Sequence, residues 1–355
     1  MLKLCLAFLT LFACADLAWA QWVAQTSGVT VRLRGVSAVN SRVAWASGAS
    51  GTYARTIDGG RTWRAGVVPG AEGLDFRDVD AFDAQTAYLL AIGEGERSRI
   101  YKTTDGGSHW TLQFQNRRAS AFFDCMAFWN RARGIAVSDP VEGRFLVVKT
   151  EDGGRTWKET DAGDSLAALA GEGAFAASGT CVAVEGASDA WFGTGGPLGA
   201  RVFHSKDRGR SWDVSTTSLA TGKAAGVFSL SLWNAREGAA VGGDYTLEKE
   251  PKGNAALTND NGRTWRAVGE RGPAGYRSCV ARIPGTRGPT LIAVGPSGSD
   301  YSTDGGRSWT AIGAEGFHSV SVARGGEVAW AVGEQGRVAR LDSPARLGRT
   351  RAQRR

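Results

Sequence analysis

Short apolar runs recur along the chain at regular intervals, and each ends in a small or acidic residue. Seven runs occur, at residues 43–48, 87–93, 133–139, 189–195, 237–243, 290–295 and 327–333. Such runs, bounded by glycine and polar turns, are typical of buried β-strands. No helical periodicity of useful length appears beyond the first 20 residues, and the glycines of the Ala-rich stretch 166–177 make it an insertion. The pattern predicts an all-β protein of seven similar units.

A polar phrase of eight residues follows six of the seven apolar runs. Its frame is Ser/Thr-x-Asp-x-Gly-x-x-Trp, and its copies occupy residues 56–63, 103–110, 150–157, 205–212, 258–265 and 302–309. Successive aspartates of this phrase are 47, 47, 55, 53 and 44 residues apart. Repeats of this length indicate a solenoid, a propeller or an array.

Each copy of the phrase, called here the repeat turn, predicts a tight turn followed by a strand. The aspartate is expected to accept backbone N–H groups two residues on, and the invariant glycine to supply the positive φ. The tryptophan then begins a strand and packs its large ring. We therefore expect a structural role for Asp58, Asp105, Asp152, Asp207, Asp260, Asp304, Trp63, Trp110, Trp157, Trp212, Trp265 and Trp309.

The seventh unit is incomplete, because its apolar run is followed by Asp342 but by no full repeat turn. Residues 21–27 precede the first unit and carry Trp22. We predict that this N-terminal segment supplies the last strand of the seventh unit and closes the ring. Closure leaves only short, protected sheet edges. The expected fold is a single domain, a seven-bladed β-propeller over residues 21–345.

The two ends of the chain carry separate signals. Lys3, the apolar stretch 4–17 and the small residues around Ala20 predict a signal peptide over residues 1–20, cleaved after Ala20, and a periplasmic or secreted protein. A lipoprotein signal at Cys14 is the less favoured alternative. Residues 346–355 are a basic tail that is expected to fray, and their five arginines leave the rest of the chain at about 7 − 5 = +2. That charge is too small for a nucleic-acid interface, and no transmembrane span follows the repeats.

Cysteine and histidine offer little for a cofactor. Beyond the signal, Cys125, Cys181 and Cys279 align with apolar positions of the first strands, so we expect small buried residues. A disulfide between Cys125 and Cys181 is the alternative. The chain has three histidines, no metal-ligand spacing and no strand-GxGxxG-helix unit. Neither a metal nor a cofactor is expected, and an oxidoreductase is the least supported class.

Candidate binding residues lie on one face of the predicted ring. The loops between the second and third strands vary most, and they lie on the face opposite the repeat turns, called here the upper face. Functional loops usually gather on such a surface. Around the channel mouth on this face we expect Asp139, Glu142, Arg144, Asp244, Tyr245 and Asp300. The alternative for each is plain turn chemistry.

Basic residues occupy one equivalent position where the first strands enter the channel. These are Arg34, Arg77, Arg277 and His318, with Arg118 nearby in its own unit. A ring of guanidinium groups suits a carboxylate or an acidic segment of a partner. Alternatively, each arginine pairs with an acid on a neighbouring blade, such as Asp78 or Asp124.

The repeat turn resembles the Asp box, or bacterial neuraminidase repeat. Six boxes, seven units and a shared last blade resemble the photosystem II stability/assembly factor-like propellers, and FGTGG (192–196) and VGGDY (241–245) resemble their bacterial branch. The resemblance implies a non-catalytic chaperone that holds a membrane-protein precursor. We therefore expect an exported monomer that binds a protein, a membrane-protein segment or a carbohydrate on its upper face.

An exo-acting glycoside hydrolase of the sialidase or glucanase type is the alternative, since those enzymes also carry Asp boxes. Boxes are scaffold rather than catalyst. The phrase Arg282-Ile283-Pro284 matches a sialidase motif, but it follows the fifth box instead of preceding the first. If the protein is a hydrolase, Asp139 and Asp244 are the expected pair of catalytic carboxylates.

Overall fold

Seven antiparallel sheets of four strands each form a β-propeller in the computed structural model, which describes residues 21–234 and 236–348. The all-β, seven-bladed fold predicted from the apolar runs is thereby confirmed. The helices in the described part of the chain are short 3₁₀ turns at Gly95–Arg97, Gly163–Leu166, Gly269–Arg271, Glu334–Gly336 and Pro344–Arg346. No helix there has the length and apolarity needed to cross a membrane.

The strands follow one another in sequence order within most blades. The first strand of the chain, β1 (Val23–Gln25), belongs to the last blade. Blade 1 contains β2 (Leu33–Ala38), β3 (Ala44–Gly48), β4 (Thr52–Thr56) and β5 (Arg64–Val67). Blade 2 contains β6 (Asp75–Ala81), β7 (Ala87–Ile92), β8 (Arg99–Thr103) and β9 (Thr111–Gln115). Blade 3 contains β10 (Phe123–Phe128), β11 (Gly134–Val141), β12 (Arg144–Thr150) and β13 (Lys158–Glu159).

The remaining blades repeat this order. Blade 4 contains β14 (Val182–Glu185), β15 (Asp189–Gly193), β16 (Arg201–Ser205) and β17 (Asp213–Thr216). Blade 5 contains β18 (Ala225–Trp233), β19 (Glu237–Asp244), β20 (Ala255–Thr258) and β21 (Arg266–Ala267). Blade 6 contains β22 (Cys279–Ile283), β23 (Thr290–Gly295), β24 (Gly298–Ser302) and β25 (Thr310–Gly313). Blade 7 contains β26 (Ser319–Val322), β27 (Val328–Val332) and β28 (Val338–Asp342), with β1 as its fourth strand.

The second strand of each blade explains the apolar runs. Every residue of β3, β7, β23 and β27 is buried, because both faces of these strands pack against neighbouring blades. Trp45, Trp191 and Trp330 lie on such strands and are among the largest fully buried side chains. The fourth strands, such as β5 and β25, are mostly exposed. A strand buried on both faces reads as a continuous apolar run.

The seventh blade combines both ends of the chain. Strand β1 pairs antiparallel with β28, with Val23 opposite Arg340 and Gln25 opposite Val338. The side-chain oxygen of Gln25 accepts the indole N–H of Trp63 in blade 1 at 3.0 Å. Its amide nitrogen donates to the carbonyl of Gly59 at 3.2 Å. The N-terminal strand therefore contacts both the last blade and the first.

The repeat turns share one hydrogen-bond pattern, here for the first copy. Asp58 accepts the backbone N–H of Thr62 at 3.0 Å, while the hydroxyl of Thr56 accepts the N–H of Gly60 at 2.8 Å. The aspartate thus caps the residue four positions on, not two as expected. The invariant glycines have φ between 77° and 90°, but Arg208 (φ 61°) and Asn261 (φ 64°) show that the preceding position is also left-handed.

The cysteines correct one prediction. Cys125 in β10 and Cys181, directly before β14, form a disulfide with Cα atoms 6.0 Å apart. The expectation of three unpaired buried cysteines is therefore wrong for two of them, and Cys279 is free and buried. Periodicity placed each cysteine on an inner strand, but a single sequence does not reveal that these two side chains face each other across adjacent blades.

Both predicted terminal segments lie largely outside the described residues. The signal peptide over residues 1–20 falls there entirely, and so do residues 349–355 of the tail. The 3₁₀ turn Pro344–Arg346 and the buried side chain of Leu347 lie against blades 6 and 7. Packed structure therefore continues past the expected domain limit at residue 345.

Candidate functional site

A segment between blades 3 and 4 enters the centre of the ring. This channel insertion, residues 173–180, bonds to blade 2 through the carbonyl of Ala176, which accepts from Arg77 Nη1 at 2.8 Å. The hydroxyl of Ser178 donates to the carbonyl of Ser278 in blade 6 at 2.8 Å. Its own carbonyl accepts from the hydroxyl of Ser319 in blade 7 at 3.1 Å. A short segment that starts between blades 3 and 4 and bonds to blades 2, 6 and 7 must lie across the channel.

Above the insertion, a cavity of about 500 Å³ opens on the upper face and is called here the mouth cavity. Its basic side comes from the start of the first strands of blades 1, 2 and 7. Its aromatic side comes from the insertion and from blades 5 and 6. The residues of the two sides are Arg34, Arg77 and His318, and Phe175, Phe228, Tyr245 and Tyr276. The cavity therefore offers positive charge and planar apolar surface to one ligand.

Arg34 is the least compensated cation of the mouth cavity. Among the described residues it forms no ion pair, and its buried Nε has no hydrogen-bond partner. Burial, with the charges of Arg77 and Arg32, lowers the pKa of Arg34 to about 10. A half-buried guanidinium without a carboxylate is unfavourable unless an anion joins it. The geometry thus favours an anionic ligand at Arg34.

Arg77 is held more firmly than Arg34. Its Nε donates to Asp75 Oδ2 at 3.0 Å, and Arg32 approaches the same oxygen at 3.4 Å. The acid lies on the same strand as Arg77 and not on a neighbouring blade. The candidate Asp78, also on β6, accepts the N–H of Met126 in blade 3 at 2.7 Å instead. Arg77 therefore fixes the insertion through Ala176 and adds positive potential to the cavity.

His318 contacts both Arg34 and an acid. Its Nε2 lies 2.7 Å from Glu334 Oε1, and its Nδ1 lies 3.3 Å from Arg34 Nη1. Burial and the charge of Arg34 lower the pKa of His318 to about 4. The ring is thus neutral at pH 7, so Nε2–H donates to Glu334 and Nδ1 accepts from Arg34.

The aromatic side is a cluster centred on Phe228. Phe175 of the insertion stacks on it with ring centroids 3.8 Å apart and planes 18° apart. Tyr276 meets Phe228 edge to face at 4.8 Å, and Tyr245 does so at 6.1 Å. Tyr245 is 49% exposed and forms the rim, while burial raises the pKa of Tyr276.

Two predicted members of the basic ring do not reach the mouth cavity. Arg277 is 2% exposed and pairs with Asp300, also 2% exposed, through Nε at 2.6 Å and Nη2 at 2.5 Å. Arg118 pairs with Glu159 at 3.0 Å. Arg118 lines a separate cavity of about 380 Å³ beside blade 3, together with Glu142 and Arg144. The expected convergence is therefore partial.

Both candidate catalytic aspartates accept hydrogen bonds from backbone N–H groups. Asp139 Oδ1 accepts the N–H of Ala174 at 2.8 Å and so holds the insertion. Burial raises the pKa of Asp139 to about 6, and burial followed by the charge of Asp139 raises the pKa of nearby Asp124. Asp244 Oδ1 accepts the N–H of Thr246 at 2.8 Å in a turn. Neither Asp139 nor Asp244 lines the mouth cavity.

No pattern in the sequence directly indicated Phe175, Phe228 or Tyr276. One signal was available, because the aspartates of the third and fourth repeat turns are 55 residues apart while the first two intervals are 47. The additional residues include the insertion that fills the channel. No group of three or more potential metal ligands occurs among residues 21–234 and 236–348.

Comparison with known proteins defines the fold. Neither a family model nor a curated protein matches the chain. Among solved structures, YCF48 bound to D1 peptide has a TM-score of 0.65 at 14% identity, covering 92% of this chain and 96% of that one. YCF48 from Cyanidioschyzon merolae has a TM-score of 0.61 at 15% identity, covering 91% and 99%. The Pan2 WD40 domain of Neurospora crassa has 0.61 at 12%, covering 88% and 90%. The chain is similar to all three as a propeller.

Proposed function

We propose that this protein is an exported, non-catalytic propeller that binds a segment of a partner protein on its upper face, in the manner of an assembly factor. The main support for the proposal is the composition of the mouth cavity, where Arg34 lacks a carboxylate partner and lies beside an exposed aromatic rim. Peptides combine apolar side chains with charged groups, so a partly basic and partly aromatic cavity suits them.

The comparisons support this choice of ligand class. One similar structure is of YCF48 bound to a D1 peptide, and its propeller covers almost the same length as this one. The resemblance of the repeat turns to photosystem II assembly factor-like propellers points to a segment of a membrane protein as partner. Export by a signal peptide cleaved after Ala20 belongs to the same proposal, and N-terminal sequencing of the mature protein tests it.

A selection from a random peptide library on the immobilised mature protein tests the binding function. We expect enriched peptides to carry a negative charge and to bind more weakly as salt is added, since salt screens the attraction. Arg34→Gln should weaken a selected peptide by about tenfold or more, the loss of a charge-assisted contact. Arg118→Gln is the matched control because Arg118 lies in the other cavity, and it should bind normally. Failure to enrich any sequence, or equal loss in both variants, would refute the proposal.

One observation favours a glycoside hydrolase as the second candidate. Asp139 has a raised pKa near 6, as a general acid requires. Its backbone bond to the insertion argues for a positioning role instead. A panel of glycosides separates the two functions: turnover that disappears in Asp139→Asn or Asp244→Asn would establish the hydrolase, while no turnover by the wild type would favour the binding protein.

A further inference from the structure

The channel insertion already occupies one half of the mouth cavity with a ring and a carbonyl oxygen. The ring of Phe175 stacks on Phe228 at 3.8 Å. The next residue, Ala176, places its carbonyl oxygen 2.8 Å from Arg77 Nη1. Two consecutive residues of the chain thus fill this half of the cavity. The first places a planar ring on the aromatic side, and the second places an oxygen on the basic side.

The other half of the cavity has the same two elements but no occupant from the described chain. Arg34 presents a guanidinium whose buried Nε lacks a partner. Tyr276 lines the same cavity as Arg34. Tyr245 extends the aromatic surface outward to the solvent. A buried donor without a hydrogen-bond acceptor is unfavourable unless water or a ligand accepts from it.

We infer that this open half binds a single carboxylate carried next to an aromatic ring, with the carboxylate on Arg34 and the ring against Tyr276 and Tyr245. The inference rests on the proposed function and narrows its ligand. A guanidinium matches the two oxygens of a carboxylate, and aromatic pairs add to apolar burial. The cavity of about 500 Å³ is within the range of small-ligand pockets, about 300–1,000 Å³.

Two carboxylates of the protein limit the charge that the ligand carries. Glu248 and Glu334 also line the mouth cavity, and Glu334 is 54% exposed in its side chain. A second negative charge on the ligand would approach these groups and be repelled. The cavity should therefore prefer a monocarboxylate to a dianion such as a phosphate monoester.

The probe is N-acetylphenylalanine, titrated into the mature protein by ligand-observed NMR. Three analogues each change one property of this probe. The carboxamide of N-acetylphenylalanine lacks the negative charge, N-acetylalanine lacks the aromatic ring, and phenyl phosphate carries a dianion in place of the carboxylate. We expect each of these three to bind about tenfold or more weakly than the carboxylate. Equal binding of N-acetylphenylalanine and its carboxamide would overturn the inference.

Arg34→Gln should remove the preference for the carboxylate over the carboxamide, while Arg118→Gln keeps it. The melting temperature of Arg34→Gln should not fall, because the substitution removes an uncompensated half-buried cation. A preference that survives in folded Arg34→Gln would overturn the assignment to this residue. If a library-selected peptide still depends on Arg34 but N-acetylphenylalanine is not distinguished from its carboxamide, the inference fails and the proposed function stands.

Three peptides, each tested as a competitor of N-acetylphenylalanine, distinguish the source of the carboxylate. Two end in phenylalanine, one with a free C-terminus and one amidated, and the third is amidated and carries an internal acid beside an aromatic residue. Loss of competition on amidation assigns the carboxylate to a chain end of the partner. Competition only by peptides with an internal acid beside an aromatic residue assigns it to a side chain. If neither peptide type competes while the small probe binds, the site takes a free aromatic carboxylate.

Discussion

The side-chain oxygen of Gln25 accepts the indole N–H of Trp330 at 3.1 Å. The same oxygen accepts Trp63 at 3.0 Å, so one amide satisfies two buried indoles from the last and first blades. Buried indole groups that lose their acceptor keep the full cost of desolvation. Gln25 therefore contributes more to ring closure than the three-residue strand that carries it.

Gln25→Leu should lower the free energy of unfolding by about 1–3 kcal/mol, since two buried donors lose their acceptor. Urea unfolding of the protein over residues 21–355 measures the change. Gln21→Leu is the control, because the side chain of Gln21 is exposed and its loss should have no effect. Deletion of residues 21–27 should have a larger effect and cause aggregation, since β28 becomes an exposed edge. A deleted protein that melts like the chain that retains residues 21–27 would contradict the role of β1.

Removal of a repeat-turn aspartate should destabilise its hairpin. Asp304 accepts the N–H of Ser308 at 2.9 Å and its hydroxyl at 2.6 Å. Asp304→Ala should cost about 1 kcal/mol, measured as a shift of the urea midpoint, with peptide binding unchanged. Asp342→Ala is the comparison, because the exposed carboxylate of Asp342 pairs with Arg340 and belongs to no full repeat turn. Loss of binding without loss of stability would assign function to the face that carries the repeat turns.

A structural feature of this protein could be predicted from the sequence where its signal repeats from one unit to the next. The apolar run 87–93 and the repeat turn at 103–110 each follow from local chemistry, so the blade they belong to was predictable. Arg34 and His318 were found because equivalent strand positions share a place in the ring. The path of Phe175 into the channel was not predictable, since no repeat contains an equivalent segment. Long-range pairing of Cys125 with Cys181 also depends on geometry that spacing alone does not express.

Arg277 should prove structural, in contrast to Arg34. Its pairing with Asp300 is fully buried, and removing one partner of a buried pair leaves an uncompensated charge. Asp300→Asn should lower the free energy of unfolding by about 3–5 kcal/mol. Thermal and urea unfolding test this, and the double variant Arg277→Met/Asp300→Leu should recover much of the loss. Asp300→Asn with wild-type stability would instead indicate that the pair contributes little.

Stability should depend on pH through Asp139. Burial raises its pKa to about 6 in the folded state, above the unfolded value, so its favourable contribution is complete below about pH 4 and is lost as pH rises through 6. Asp139→Asn keeps an acceptor for Ala174 without the charge. It should be more stable than the wild type by about 1–3 kcal/mol at pH 8 and equal to it near pH 4.

Urea midpoints measured at both values of pH provide the check for Asp139. The difference in urea midpoint between the two proteins cancels the contribution of the repeat-turn aspartates, because both proteins contain them. Those aspartates act in the opposite direction, since hydrogen bonds from Thr62 lower the pKa of Asp58 to about 2. Asp164→Asn, at an exposed carboxylate, is the control and should show no such trend. A difference between Asp139→Asn and wild type that stays constant with pH would contradict the assignment.

The pairing of Val23 with Arg340 places β1 beside β28, the last strand of the propeller to be synthesised. During synthesis β1 has no partner until the strands of the other six blades have emerged, because β28 is its neighbour in the finished sheet. Each of the six earlier blades is contiguous in sequence, so its strands can pair as soon as they have been synthesised. We therefore expect the seventh blade to form last, so the state that persists just before completion is an open ring with an unpaired edge at β28.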